Sequence, residues 1–160
     1  MKKKSKTHTV AATPAQTLKL GELRNLVGYQ LRRAHSHMRR DYLQTVGNLG
    51  FRPGQVSILV LIIENPGIFQ IELSRELEID KATVVALIDR LEKAGLVTRQ
   101  RSTEDRRNQA LFATREGIKM AKTLLEITEQ HEARYCAQFT AAELKQFLEY
   151  LQRIYQLENN

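Results

Sequence analysis

Gln70-Ile71-Glu72-Leu73-Ser74-Arg75-Glu76-Leu77-Glu78-Ile79-Asp80-Lys81-Ala82-Thr83-Val84-Val85-Ala86-Leu87-Ile88-Asp89-Arg90-Leu91-Glu92-Lys93-Ala94-Gly95 is the stretch that decides the fold. Its first part sets Ile71, Leu73, Ser74 and Leu77 at helical spacing, so Gln70 to Leu77 is expected to be a short helix. Glu78-Ile79-Asp80 then forms a three-residue turn, and Asp80 is a good N-cap for a second helix. Along that helix Val84, Leu87, Ile88 and Leu91 recur at i, i+3, i+4 and i+7, and Gly95 stands where a glycine C′ ends a helix. Two short helices joined by a tight turn are a helix-turn-helix.

The elements on either side complete the arrangement. Val97-Thr98-Arg99-Gln100-Arg101 and Gln109-Ala110-Leu111-Phe112-Ala113 are two short strands joined by the polar segment 102–108, a β-hairpin wing. Thr114 is expected to cap a long helix from about Glu116 to Ala137, with Met120, Leu124, Ile127 and Tyr135 apolar. A last helix carries Leu144, Phe147, Leu148, Leu151, Ile154 and Tyr155. Upstream, Pro53 opens a buried helix that Asn65-Pro66-Gly67 stops. From Leu18 to Val46 the positions Leu23, Val27, Leu31, Ala34, Met38, Tyr42 and Val46 predict one long amphipathic helix. The fold class is therefore mainly α with a small β-hairpin wing, a winged helix-turn-helix flanked by N- and C-terminal dimerisation helices. The expected divisions are a flexible basic arm over 1–16, a dimerisation helix over 17–50, the winged helix-turn-helix over 51–115, and dimerisation helices over 116–160. Apolar stripes at both ends of the chain need a surface, and a two-fold dimer supplies one while presenting two recognition helices to successive major grooves.

The 160 residues carry a formal charge of +7, but Lys2, Lys3, Lys4 and Lys6 supply four of those charges. Tyr29 to Arg52 holds five arginines against Asp41 alone, whereas Gln70 to Arg107 holds eight basic and eight acidic side chains. Charge thus favours a polyanionic partner without locating it. One cysteine excludes an intrachain disulfide. No apolar run reaches the length of a signal peptide or of the roughly 20 residues of a membrane span, so the expectation is a cytoplasmic protein with no membrane contact. A phosphate loop, zinc-ligand spacing and a nucleophile elbow are all missing, so no catalysis, metal or cofactor is expected.

The second helix of the motif turns a small face outward through Ala82, Val85, Ala86 and Asp89. Small side chains let a helix lie deep in a major groove. There Val85 or Ala86 touches thymine methyls, and Lys81 and Thr83 reach phosphates or base edges. An ordinary amphipathic helix has the same periodicity. The wing adds Ser102-Thr103-Glu104-Asp105-Arg106-Arg107, in which an aspartate can hold an arginine for a narrow, electronegative minor groove. Mixed charge at a hairpin tip is also common on any surface.

The run Asp89-Arg90-Leu91-Glu92-Lys93-Ala94-Gly95-Leu96-Val97, then Arg99, Asp105-Arg106-Arg107, Leu111 and Thr114-Arg115-Glu116-Gly117, resembles the signature of the MarR family of bacterial regulators. In layout the resemblance runs from Leu18 to Leu157. It implies an obligate homodimer with winged-helix lobes on pseudo-palindromic promoter double-stranded DNA. It implies that Lys81, Thr83 and Ala86 face the major groove, and that Arg107, positioned by Asp105 with Arg106 beside it, enters the minor groove. Arg99 completes the expected DNA-binding set with Val85. Phe69 stands where the family often has a serine or threonine cap, Glu78 where glycine is usual, and Ala86 where a polar or basic residue is frequent. These departures shift weight from base reading to shape reading.

The resemblance also implies a repressor released by a small anionic effector, an aromatic acid or an acyl-CoA thioester. Tyr29, Arg32, Arg33, His35, Arg39 and Tyr42 on the first long helix are the candidate effector residues, with His37 and Arg40 as further basic neighbours. The same side chains equally describe a solvated basic face. His35 and His37, two apart, point to different sides of a helix and make a poor metal pair. Cys136 is expected to be a buried structural thiol. The alternative to a ligand-responsive regulator is a dimer of the same fold acting as a protein-interaction module or architectural DNA binder.

Overall fold

The computed structural model describes residues 18–46, 50–101 and 109–156. The basic arm 1–16 and the hairpin tip with Asp105, Arg106 and Arg107 lie outside the described residues. The chain divides into two compact units, Met1–His37 and Met38–Asn160.

The long helix expected from Leu18 onward is split. A 3-10 turn, η1, spans Gly21–Asn25, Leu26 is extended, and α1 begins at Val27 and runs to Val46. Gly21 adopts φ +51°, and the extended Leu26 interrupts the ladder, so the apolar period continues through a break in the backbone. α2 (Pro53–Glu64) starts with proline at its first position, and Gln55 Oε1 accepts from the Arg52 amide at 3.1 Å. α3 (Gln70–Glu76) and α4 (Lys81–Lys93) form the helix-turn-helix. Strands β1 (Val97–Arg101) and β2 (Gln109–Ala113) pair antiparallel in the register Val97 to Ala113 and Arg101 to Gln109. α5 spans Arg115–Cys136 and α6 Ala141–Tyr155.

The core of the reader lobe is one cluster. Ile58, Leu59 and Ile62 of α2, Leu73 of α3, Val84, Leu87, Ile88 and Leu91 of α4, and Leu96, Val97 and Leu111 of the hairpin are buried together with Ala121 of α5. The predicted inward stripe of α4 is therefore the observed one. A second cluster joins Tyr42 of α1 and Val56 of α2 to Leu124 of α5. The hairpin gains a short third rung, because the Gly67 amide donates to the Leu111 carbonyl at 2.8 Å and the Leu111 amide to the Ile68 carbonyl at 3.0 Å.

Thr114 is the junction of three elements. Its hydroxyl accepts from the Gly117 amide at 3.0 Å, capping α5, and donates to the Gly95 carbonyl at 2.7 Å. Its amide donates to the Leu96 carbonyl. Gly117 allows that approach, since a Cβ there would lie 2.0 Å from the Leu96 carbonyl oxygen.

Candidate nucleic-acid interface

Asp80 fixes where α4 begins. One carboxylate oxygen accepts from the Thr83 amide at 2.9 Å and the other from the Thr83 hydroxyl at 2.6 Å. These two bonds, the hydroxyl's first, hold the Asp80 carboxyl below its usual range. With its O–H hydrogen-bonded to Asp80, the Thr83 hydroxyl has its lone pairs left to accept, suited to a base N–H or, through its methyl, to a thymine. Lys81, Ala82, Val85 and Ala86 are exposed beside it, and Val84, Leu87, Ile88 and Leu91 anchor the opposite side of the helix. The structure thus leaves Lys81, Thr83, Val85 and Ala86 all exposed, spread over the side of α4 away from the core.

The turn before α4 departs from common backbone geometry. Glu78 has φ +50°, the conformation that glycine adopts most readily, and it is the non-glycine residue with positive φ among the described residues. Phe69 at the start of α3 carries no side-chain acceptor, so the local partner is Glu72, whose carboxylate accepts from the Phe69 amide at 2.8 Å.

Arg99 is placed differently from the α4 residues. Its side chain is 14% exposed, and its guanidinium donates to Asp89 at 2.5 Å and to Glu92. Gln100 and Arg101 on the same strand are exposed.

The effector candidates fall in both units. In the first, the Arg32 and Arg33 guanidinium carbons lie 5.3 and 5.9 Å from the Tyr29 ring centroid, within cation–π range, and His35 is exposed. In the second, Arg39 is exposed but Tyr42 is buried, its phenol hydrogen-bonded to Thr128 at 3.1 Å.

A group that sequence reading missed lies on α1 and α5. Asp41 receives His131 Nε2 at 2.7 Å, the Tyr135 hydroxyl at 3.0 Å and the Arg134 guanidinium. Tyr42 and His131 meet edge to face. The partners stand about ninety residues apart, so no local pattern announces them. Cys136, expected to be buried, is only half-buried, at the last residue of α5.

Between α2 and α5 a cavity of about 340 Å³ has Val60, Ile63 and Leu125 on its walls and Glu64, Glu126 and Glu129 against Lys122 at its rim. Among the described residues no helix is long and apolar enough to cross a membrane, and no cluster of three His, Cys, Asp or Glu side chains is arranged for a metal.

A helix-turn-helix seated on its own core with a hairpin beside the second helix defines the winged-helix class of DNA-binding proteins. The MarR family profile matches residues 51–108. A solved structure of the transcriptional repressor CouR on a 23-mer DNA duplex is 34% identical, covers 88% of this chain and 100% of its own, and superposes with a TM-score of 0.81. CouR from Rhodococcus jostii bound to p-coumaroyl-CoA is 27% identical over 86% of this chain and 97% of its own, with a TM-score of 0.76. The transcriptional regulator HosA of Escherichia coli is 26% identical over 132 residues, 82% of this chain and 96% of its own length. The chain belongs to the MarR family and is a transcriptional regulator.

Proposed function

We propose that two copies of the chain bind one pseudo-palindromic operator and that a small effector releases them, so that the protein works as a cytoplasmic repressor. The observation that carries this reading is the open, small face of α4, on which Lys81, Thr83, Val85 and Ala86 surround a helix anchored by four buried apolar side chains. That helix enters the major groove from its N-terminal end, with Lys81 on phosphate and Val85 and Ala86 against thymine methyls. Asp105, Arg106 and Arg107, in the segment joining β1 and β2, serve the adjacent minor groove. Arg99 is left out of the contact set, because both Asp89 and Glu92 already hold it.

Dimerisation falls to the segments outside 51–115. α6 supports this, since none of its residues is buried while Phe147, Leu148 and Ile154 are 41–50% exposed. A second copy covers such a stripe and sets the spacing of two recognition helices.

The effector is a small aromatic acid or an acyl thioester, the class to which CouR's p-coumaroyl-CoA belongs. Tyr29 with Arg32 and Arg33 offers a flat ring and two cations for its anionic end, and His35 is exposed on the same helix. The cavity between α2 and α5 carries Glu64, Glu126 and Glu129 against Lys122 alone, so it does not suit a carboxylate.

Selection of duplexes from a randomised pool tests the reading. Enrichment of an inverted repeat with half-sites about one helical turn apart is the expected outcome. Enrichment of no sequence would leave an architectural or protein-interaction role for the same fold. For the effector, release of the selected duplex by aromatic acids or their coenzyme A thioesters is expected, and an inert panel would refute that part.

A further inference from the structure

On α4, Ala82, Val85, Asp89 and Glu92 follow one another at spacings of three, four and three, so they form a single stripe. The groove-facing surface of the helix therefore ends in two carboxylates. Left bare, these would repel the phosphates that the helix must approach. Arg99 answers both. It stands on β1 two residues from the core residue Val97, so strand alternation turns it to the inner face of the hairpin. Its Nη2 donates to Asp89 at 2.5 Å and its Nη1 to Glu92, and its Nε is buried without a partner. The side chain is 14% exposed, against 48% for Asp89 and 39% for Glu92.

We propose that Arg99 is a positioning residue, clamping the C-terminal half of the recognition helix to the first strand of the wing and masking the two carboxylates, with no DNA contact of its own. The inference rests on the DNA-reading function above. A helix in the major groove and a hairpin serving the minor groove must fit one duplex at the same time, so the angle between α4 and β1 is a specificity-determining quantity. A guanidinium fork suits this task because it addresses two acceptors from a planar, fixed geometry. The lobe does not depend on the clamp for folding. Its apolar cluster is continuous without it, and both carboxylates are open enough to be solvated once released.

The test compares Arg99→Gln, Arg99→Lys and the double variant Asp89→Asn with Glu92→Gln, using a duplex selected by the wild type and a scrambled duplex. All three should unfold cooperatively near the wild-type temperature. Arg99→Gln is expected to weaken the selected duplex about tenfold or more, the scale of one misread base pair. Its affinity for the scrambled duplex should fall by less, by the sequence-independent share that unmasking Asp89 and Glu92 costs, and its slope of log affinity against log salt should stay at the wild-type value. Arg99→Lys should recover part of that loss.

The double variant gives the sharpest result. It removes two negative charges and frees Arg99, which tightens binding to any duplex, so the ratio of selected to scrambled affinity decides: a direct phosphate contact predicts an undiminished ratio, whereas a clamp predicts a lower one. An undiminished ratio there, a salt slope reduced by about 1 per subunit in Arg99→Gln, or a lysine variant no better than glutamine would each overturn the proposal.

A readout without DNA separates the two levels. If the wild type itself fails to prefer the selected duplex, the DNA-reading function falls. The clamp is then judged by amide exchange of Val97–Arg101 and Gln109–Ala113, which Arg99→Gln accelerates if the clamp exists and leaves unchanged if it does not.

Discussion

α4 and α6 begin alike and end in opposite situations. Each is a helix of similar length with an apolar stripe and a side-chain N-cap, Asp80 for α4 and Thr140 for α6, and Thr140 with Glu143 completes a capping box. α4 buries Val84, Leu87, Ile88 and Leu91, whereas α6 buries nothing, and its Phe147 stacks on Phe139 with centroids 5.5 Å apart. Local chemistry is thus sufficient to start either helix. What separates them is whether the rest of the chain offers a surface, and the exposed stripe of α6 is the one we propose that a second copy covers.

The largest expected effect breaks the α4 side of this comparison. Gly117→Ala puts a methyl 2.0 Å from the Leu96 carbonyl, which is backbone and already engaged by the Thr114 amide. We expect a loss of about 3 kcal/mol or more in chemical denaturation, the upper end of overpacking costs. Next comes the α6 side. Phe147→Glu with Ile154→Glu should raise the dimer dissociation constant about a hundredfold or more by sedimentation, with reader-lobe amides still protected. If the lobe unravels instead, the two regions are not separable. Lys81→Ala should weaken selected and scrambled duplexes alike, by roughly tenfold or less, and lower the salt slope by about 1 per subunit.

Smaller effects sharpen the boundary of α4. Glu78→Gly relieves a left-handed residue but loosens the unfolded chain, so thermal stability should rise by no more than about 1 kcal/mol. Asp80→Asn keeps a capping oxygen and removes a titratable one. Because the folded state depresses the Asp80 carboxyl, the stability it adds is present above its unfolded value and is lost as pH falls through the folded value. The gap between wild type and variant should therefore close below about pH 4 in thermal melts across pH.

Features governed by neighbours in sequence were legible from sequence. The Asp80 cap, the inward stripe of α4, the ends of β1 and β2 and the Thr114 cap all follow from chemistry within four residues. The break at Leu26 was hidden, because a 3-10 turn preserves the apolar period while changing the backbone. The Asp41 cluster was hidden for another reason, since its histidine, tyrosine and arginine partners arrive from α5 only after folding. Arg99 shows the limit most clearly. As a cation beside a recognition helix it fits a DNA contact, and only the placement of Asp89 and Glu92 reveals that its charge is already matched. The same holds for Tyr42, a flat ring on a basic helix whose phenol is committed to Thr128.

The most direct test of DNA reading by α4 and the wing is a titration at physiological salt of the wild-type dimer with its selected duplex and a scrambled one. Two chains per duplex and a preference of about a thousandfold or more for the selected sequence are expected. Equal, weak binding to both would contradict DNA reading.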